Sequence, residues 1–330
     1  MTLDHAGGSI ADADAHMDVG QPQLQKSAVS QGHVIPARDG GRGVWVRPPA
    51  SLLRWSPTGR PPRHPVRVVP HRHRMPDHLD GLKDPALWTL LDIRAAPGGG
   101  GVRTGMTYDK EYGTSAGYFD KPKRVQFMEG PNEPAVAMHL QLNPRYINFE
   151  FQPLDFTFRR ADGKIIHKYP DVGIELFDNS VVFGEIKSDD AWFEAPGIRR
   201  PLDRIDVALA TEGLPPLLRI RGLPFRERFV AEAHRAAMDA AQTGFDEADK
   251  VAVRTVVNAA HGRAKYGDVV GALGGPRAVA TDKLYAMLNS RIVGFDLSEL
   301  PTNDTEVTLP RPATPFALRQ LLSRLSEKAA

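Results

Sequence analysis

The chain of 330 residues contains no cysteine, which excludes disulfides and thiolate zinc sites and leaves the redox compartment unmarked. It has no apolar run approaching the ~20 residues of a membrane span. Its first residues, "MTLDHAGGSIADADAHMDVG", lack the basic and apolar regions of a secretory signal. A cytoplasmic protein of the bacterial cytosol or nucleoid is expected, with no membrane partner. An excess of charge of either sign is missing too: Lys and Arg number 42 against 40 Asp and Glu, a formal charge of +2. That balance neither demands nor excludes nucleic acid, because a local patch matters more than the sum. The length allows one large or two ordinary domains.

The first hundred residues differ from the rest. "VIPARDGGRGVWVRPPASLLRWSPTGRPPRHPVRVVPHRHRMP" is dense in Pro, Gly and Arg, is nearly free of acid and keeps neither a period of 2 nor one of 3.6. Such a stretch buries too little apolar surface to offset its ordering entropy. Residues 1–105 are therefore expected to form a disordered extension, or to precede a true start at Met106; a basic nucleic-acid-binding arm is the other reading. His71, His73 and His78 lack a fourth ligand, and no metal site is expected there. "PGGGG", Pro97 to Gly101, reads as a linker.

Two domains are expected beyond it, at 106–222 and 223–330. "NEPAVAMHLQLNP" predicts a short helix capped by Asn132 and stopped by Pro144. "YINFEFQPLDFTFRR" alternates like one half-buried strand with an edge or bulge at Pro153. "IIHKYP" and the hairpin "DVGIELF-DNS-VVFGEIK" follow, which predicts an α/β domain around a central mixed sheet flanked by helices. "PLDRIDVALATEG" reads as a helix and "LLRIRG" as a short buried strand. "PFRERFVAEAHRAAMDAAQTG" opens on Pro and closes on Gly like a helix. "DEADKVAVRTVVNAAHG", "KYGDVVGALGG" and "AVATDKLYAMLNSR" predict three more helices before two β-prone pieces. That is the order of a mostly α, winged-helix-like domain. "TDKLYAMLNSR", its second helix-turn-helix element, carries few basic residues, which favours protein contact over base reading.

The hairpin carries the chemistry. If its strands pair, Asp171 stands level with the end of the second strand, where Glu185 and Lys187, two apart, emerge from one face. Two carboxylates there repel unless a cation lies between them. A hard divalent ion such as Mg²⁺, with Mn²⁺ as a substitute, suits such oxygen ligands and would hold a water for attack. Lys187 would position or deprotonate that water, or stabilise charge developing on phosphorus. This is chemistry for hydrolysing a phosphodiester; a surface hairpin with a solvent-facing Glu and Lys is the plain alternative. His167 and Lys168 are candidates for phosphate contact or simple solvent-facing residues. Arg199, Arg200 and Arg204 in "RRPLDR" are either backbone-phosphate contacts or an ordinary solvated helix start. Asp189 and Asp190 either add charge at the site or cap the segment after it.

The pattern Pro170-Asp171-x(13)-Glu185-x-Lys187 matches the motif of the PD-(D/E)xK nucleases, whose fold is restriction-endonuclease-like. With Glu133 near a helix start, the "LNP" break, Gln152-Pro153 and Tyr169-Pro170-Asp171, residues 125–310 resemble TnsA-type transposon endonucleases. The tail "DLS…TEVTL" resembles the family's ending as well. Tyr169 lies directly before Pro170, one residue closer than in the family's usual spacing. The resemblance implies a DNA endonuclease cutting at transposon ends beside a DDE-type transposase and an ATP-dependent regulator. Asp171 and Glu185 would ligate Mg²⁺, Glu133 would complete the acidic cluster as a third ligand, and Lys187 would act on the water. Gln152 would lie in or next to the site, and Glu129 competes with Glu133. A standalone restriction or repair nuclease, or a non-catalytic DNA-binding or assembly protein of the same fold, are the rival readings.

Overall fold

The computed structural model describes residues 84–96 and 113–327, together with the backbone of three short strands, β1 (Val34–Ile35), β2 (Val44–Val46) and β3 (Arg67–Val68), which form an antiparallel sheet. Met106, the 97–101 linker and His71, His73 and His78 lie outside the described residues. The chain divides into two compact units, Met1–Arg72 and His73–Ala330. The second unit runs through both boundaries expected at 105 and 222.

Residues 84–96, expected to be disordered, supply strand β4 (Thr89–Ala95) to the second unit. It pairs antiparallel with β8 (Leu154–Arg159), which pairs with β9 (Ile165–Lys168). "TLLDIRA" buries Ile93 and Ala95, and the preceding Trp88 packs against Phe158 with ring centroids 5.7 Å apart. Those apolar residues bury enough surface to order a segment flanked by a Pro- and Gly-rich sequence. Strands β5 (Thr114–Phe119) and β6 (Arg124–Glu129) form a separate hairpin.

Helix α1 (Asn132–Leu142) then leads into a four-stranded sheet ordered β12-β11-β10-β7. It comprises β7 (Tyr146–Phe151), β10 (Val172–Leu176), β11 (Val181–Lys187) and β12 (Leu218–Arg221). The single strand expected over 146–160 is two strands in two sheets. Gln152 sits at φ +50° and Pro153 has no N–H for a ladder, so the chain turns between them from one sheet to the other. β10 is antiparallel to β7 and β11, whereas β12 runs parallel to β11. Helices α2 (Asp190–Glu194) and α3 (Pro196–Thr211) make the crossover that a parallel pair needs. The described residues thus form an α/β structure of mixed and antiparallel sheets with eight α-helices.

Helix α4 (Arg228–Asp239) starts four residues after Pro224, which belongs to a 3₁₀ turn, Pro224–Arg226. A three-helix cluster follows: α5 (Glu247–Ala259), α6 (Tyr266–Ala272) and α7 (Arg277–Asn289). Asp246 and Asp249 close a capping box at the start of α5. β13 (Arg263–Lys265) pairs with β14 (Glu306–Thr308), and Gly294 bridges to Thr308. This cluster is fused to the sheet region. Leu142 of α1 belongs to its core, Gln141 Nε2 donates to Asn289 O at 3.1 Å, and Arg291 Nε donates to Pro144 O at 2.8 Å. Helix α8 (Ala317–Glu327) returns to the core beneath β4 and β8, where Leu318, Leu322 and Leu325 pack with Phe156, Phe158 and Phe183. Its exposed backbone N–H groups are capped from a distance: buried Glu175 of β10 accepts Phe316 N and Ala317 N at 2.7 Å each.

Candidate active site

β10 and β11 pair as the alternation predicts, with Val172 opposite Gly184 and a turn through Asn179 at φ +66°. Asp178 closes the turn by accepting Ser180 N at 3.0 Å and Ser180 Oγ at 2.6 Å. Continuing that register places Asp171 across from Glu185 at the open end of the hairpin. Asp171 Oδ2 accepts Ile186 N at 2.7 Å, which fixes the carboxylate against the neighbouring strand. Gln152 N donates to Asp171 O at 2.9 Å, so the turn that separates the two sheets also holds Asp171 from its other side.

Glu185 and Lys187 share one face, and the ammonium of Lys187 gathers the site. Its Nζ lies 2.5 Å from Glu185 Oε1, 3.1 Å from Ile186 O and 3.5 Å from Asp171 Oδ2. Burial alone would lower the Lys187 pKa, but Asp171 and Glu185 outweigh it and hold the pKa above its ordinary value. Glu185 is pushed up to about 7, first by burial and then by the nearby charge of Asp171, against the pull of Lys187. Glu133, 8% exposed, is pushed up to about 8 by burial and again by Asp171. One buried and two partly buried carboxylates therefore share a region whose positive charge does not balance them.

Glu133 is close enough to feel Asp171, yet its Oε2 accepts Glu129 N at 2.8 Å. Turned to that backbone N–H, it is not drawn into one ligand cluster with Asp171 and Glu185. Among the described residues no group of three or more His, Asp or Glu side chains is gathered to hold a metal ion. The donors that remain fit a hard cation: two carboxylates and the Ile186 carbonyl surround one point, now taken by an ammonium. Two side-chain ligands plus water are the usual provision for Mg²⁺.

The other candidates divide. Lys168 reaches inward, its Nζ 5.7 Å from the centre of the Trp88 ring. Burial lowers its pKa, Lys187 adds to that effect and Glu185 opposes it. His167 is half exposed and held by Asp155 at 3.0 Å. Gln152 is 4% exposed, too buried to meet a phosphate directly. Arg199 pairs with Glu194 at 3.2 Å, and Arg200 with Asp84 at 3.3 Å. Arg204 donates to Trp88 O at 2.8 Å and ties α3 to the start of β4. These three arginines bind the protein's own acids or backbone, the better use of a guanidinium beside a carboxylate or carbonyl. Asp190 pairs with exposed Arg221 at 3.4 Å, and Asp189 occupies the N-cap position of α2 without a side-chain cap bond.

Asn132 departs from its expected capping role. Pro131 is the N-cap of α1, and Asn132 Nδ2 donates instead to Ser188 Oγ at 3.1 Å, one residue beyond Lys187. The backbone of Gly222 passes so close that a methyl group there would lie 2.6 Å from Asn132 Cβ. Neither this junction nor the Trp88–Lys168 contact has a local pattern that would reveal it.

Comparison with protein-family models finds no match for this chain, and comparison with curated proteins finds no relative.

Proposed function

We propose that the chain is a metal-dependent DNA endonuclease of restriction-endonuclease-like architecture, hydrolysing phosphodiester bonds at the Asp171–Glu185–Lys187 end of the hairpin. One observation carries the reading: Lys187 Nζ stands 2.5 Å from Glu185 and 3.5 Å from Asp171, on paired strands and in a buried region with excess carboxylate. A surface hairpin leaves such groups in solvent; here the three side chains are only 12–22% exposed. Asp171, Glu185 and the Ile186 carbonyl would hold Mg²⁺ or Mn²⁺. Bound there, the ion supplies a polarised water and charge neutralisation at the scissile phosphate. Lys187, kept charged by its neighbours, orients the attacking water and stabilises the extra negative charge on the phosphate oxygens. Asp171 is locked by Ile186 N and keeps its place when the ammonium moves toward substrate.

The resemblance to TnsA-type enzymes sets the context: cleavage at transposon ends, with a DDE-type transposase and an ATP-dependent regulator as partners. The helices α5, α6 and α7 with the β13–β14 ladder support a winged-helix-like reading of that region. Leu284 through Asn289 of α7 are all buried in the chain's own core, so that stretch of the helix is not available to enter a DNA groove. A standalone nuclease would use the same site.

Incubating the full chain with supercoiled plasmid tests the enzyme. Nicked or linear DNA is expected with Mg²⁺ or Mn²⁺ and not with a chelator, and Asp171→Ala is expected to abolish it. No metal-dependent product, alone or with the transposase and ATPase added, counts against the enzyme and leaves a DNA-binding or assembly protein.

A further inference from the structure

We propose that Arg226 anchors a backbone phosphate of the DNA strand presented to the Asp171–Glu185–Lys187 centre, a role that rests on the nuclease reading above. Arg226 ends the 3₁₀ turn Pro224–Arg226, and that turn is stitched to the catalytic strand. Gly222 N donates to Lys187 O at 2.7 Å, and Leu223 N to Ser188 O at 3.1 Å. The side chain is exposed, and its NH1 donates to Asn132 Oδ1 at 3.1 Å. Asn132 passes the contact on to Ser188 and precedes Glu133 in the chain. One neutral amide therefore ties the guanidinium both to the strand carrying Lys187 and to the helix carrying Glu133.

The chemistry of that tether distinguishes Arg226 from the other arginines near the site. Arg199, Arg200, Arg219 and Arg221 each face a carboxylate within 3.4 Å, and Arg204 is bound to a carbonyl. Arg226 is oriented by an amide oxygen, which sets direction without neutralising charge. A guanidinium carries five N–H donors in a planar fork, so most of its capacity remains for a phosphate. The close approach of Gly222 to Asn132 leaves no space for a side chain at 222 and keeps the junction rigid. A rigid, charged fork beside a hydrolytic centre suits a phosphate flanking the scissile one, fixing register without reading sequence.

The alternative is that Arg226 only pins its turn to α1. Binding of random-sequence duplex DNA to the full chain, measured by fluorescence anisotropy across a salt series in a chelator, separates the two. Arg226→Ala is expected to weaken binding on the order of tenfold and to reduce the log–log salt slope by about one contact, while its thermal unfolding stays near that of the wild type. Arg226→Lys is expected to restore the slope, because the charge returns, but to cleave more slowly, because the fork does not. Wild-type affinity and slope in Arg226→Ala overturn the proposal, as does a loss of binding that tracks a loss of folding and is not restored by Lys. Asp171→Ala separates this from the reading beneath it. DNA binding by the unsubstituted chain without metal-dependent cleavage sinks the nuclease, whereas cleavage that is lost in Asp171→Ala but unchanged in Arg226→Ala sinks only the anchor.

Discussion

At the scale of single residues the site is a problem of unbalanced charge. Glu133 and Glu185 have folded-state pKa values raised to about 8 and about 7, above the ordinary 4.5, mainly by burial and then by Asp171. For groups raised in this way, the folded protein binds protons that the unfolded chain has released. The contribution to stability is complete below pH 4.5 and is lost as pH rises toward 8. Glu133→Gln removes part of that penalty. In metal-free buffer it is expected to stabilise the fold by on the order of 2–3 kcal/mol at alkaline pH and by little at acid pH, read as thermal unfolding at both. A destabilised variant at alkaline pH would show that the carboxylate is compensated in a way the geometry does not contain. Such trades of stability for a charged, poorly compensated centre are common where binding or chemistry needs it.

Among the elements, β4 shows what local reading misses. The hairpin β10–β11 was legible, because its period-2 alternation, its "DNS" turn and its polar ends all point one way. β4 was not: "TLLDIRA" is a short apolar run inside a Pro- and Gly-rich stretch, and only its distant partner β8 makes it a strand. The same holds for α8, whose N-terminal cap is Glu175, 141 residues earlier in the chain. The division of 146–160 into two strands depends on Gln152 adopting a positive φ, a tertiary choice that a non-glycine residue does not advertise. Because Trp88 is 6% exposed and packs on Phe158, Trp88→Ala is expected to cost on the order of 3 kcal/mol of stability. A chain begun at Met106 is expected to lose the cooperative unfolding transition, since it leaves Phe156, Phe158 and Leu318 without β4. Unchanged calorimetric transitions in both would remove β4 from the core.

The scale of the whole unit changes what the site rests on. Separate domains at 106–222 and 223–330 were expected from a change of pattern near 222. Instead α1 reaches into the three-helix cluster through Leu142 and Gln141, and α8 returns from the far end of the chain to β4 and β10. Sequence patterns are local, and they could place Asp171, Glu185 and Lys187 on one hairpin. They could not show that Arg199, Arg200 and Arg204 bind the protein itself, because their partners lie elsewhere in the fold or depend on helix phase. What remains central is the ammonium between two carboxylates. Lys187→Ala removes it and leaves Asp171 anchored to Ile186 N. The decisive measurement is the single-turnover rate of DNA cleavage by Lys187→Ala at saturating Mg²⁺, with DNA binding measured in parallel. A fall of roughly 10²–10⁴-fold with affinity retained is the expected result, and an undiminished rate would contradict the assignment of this site.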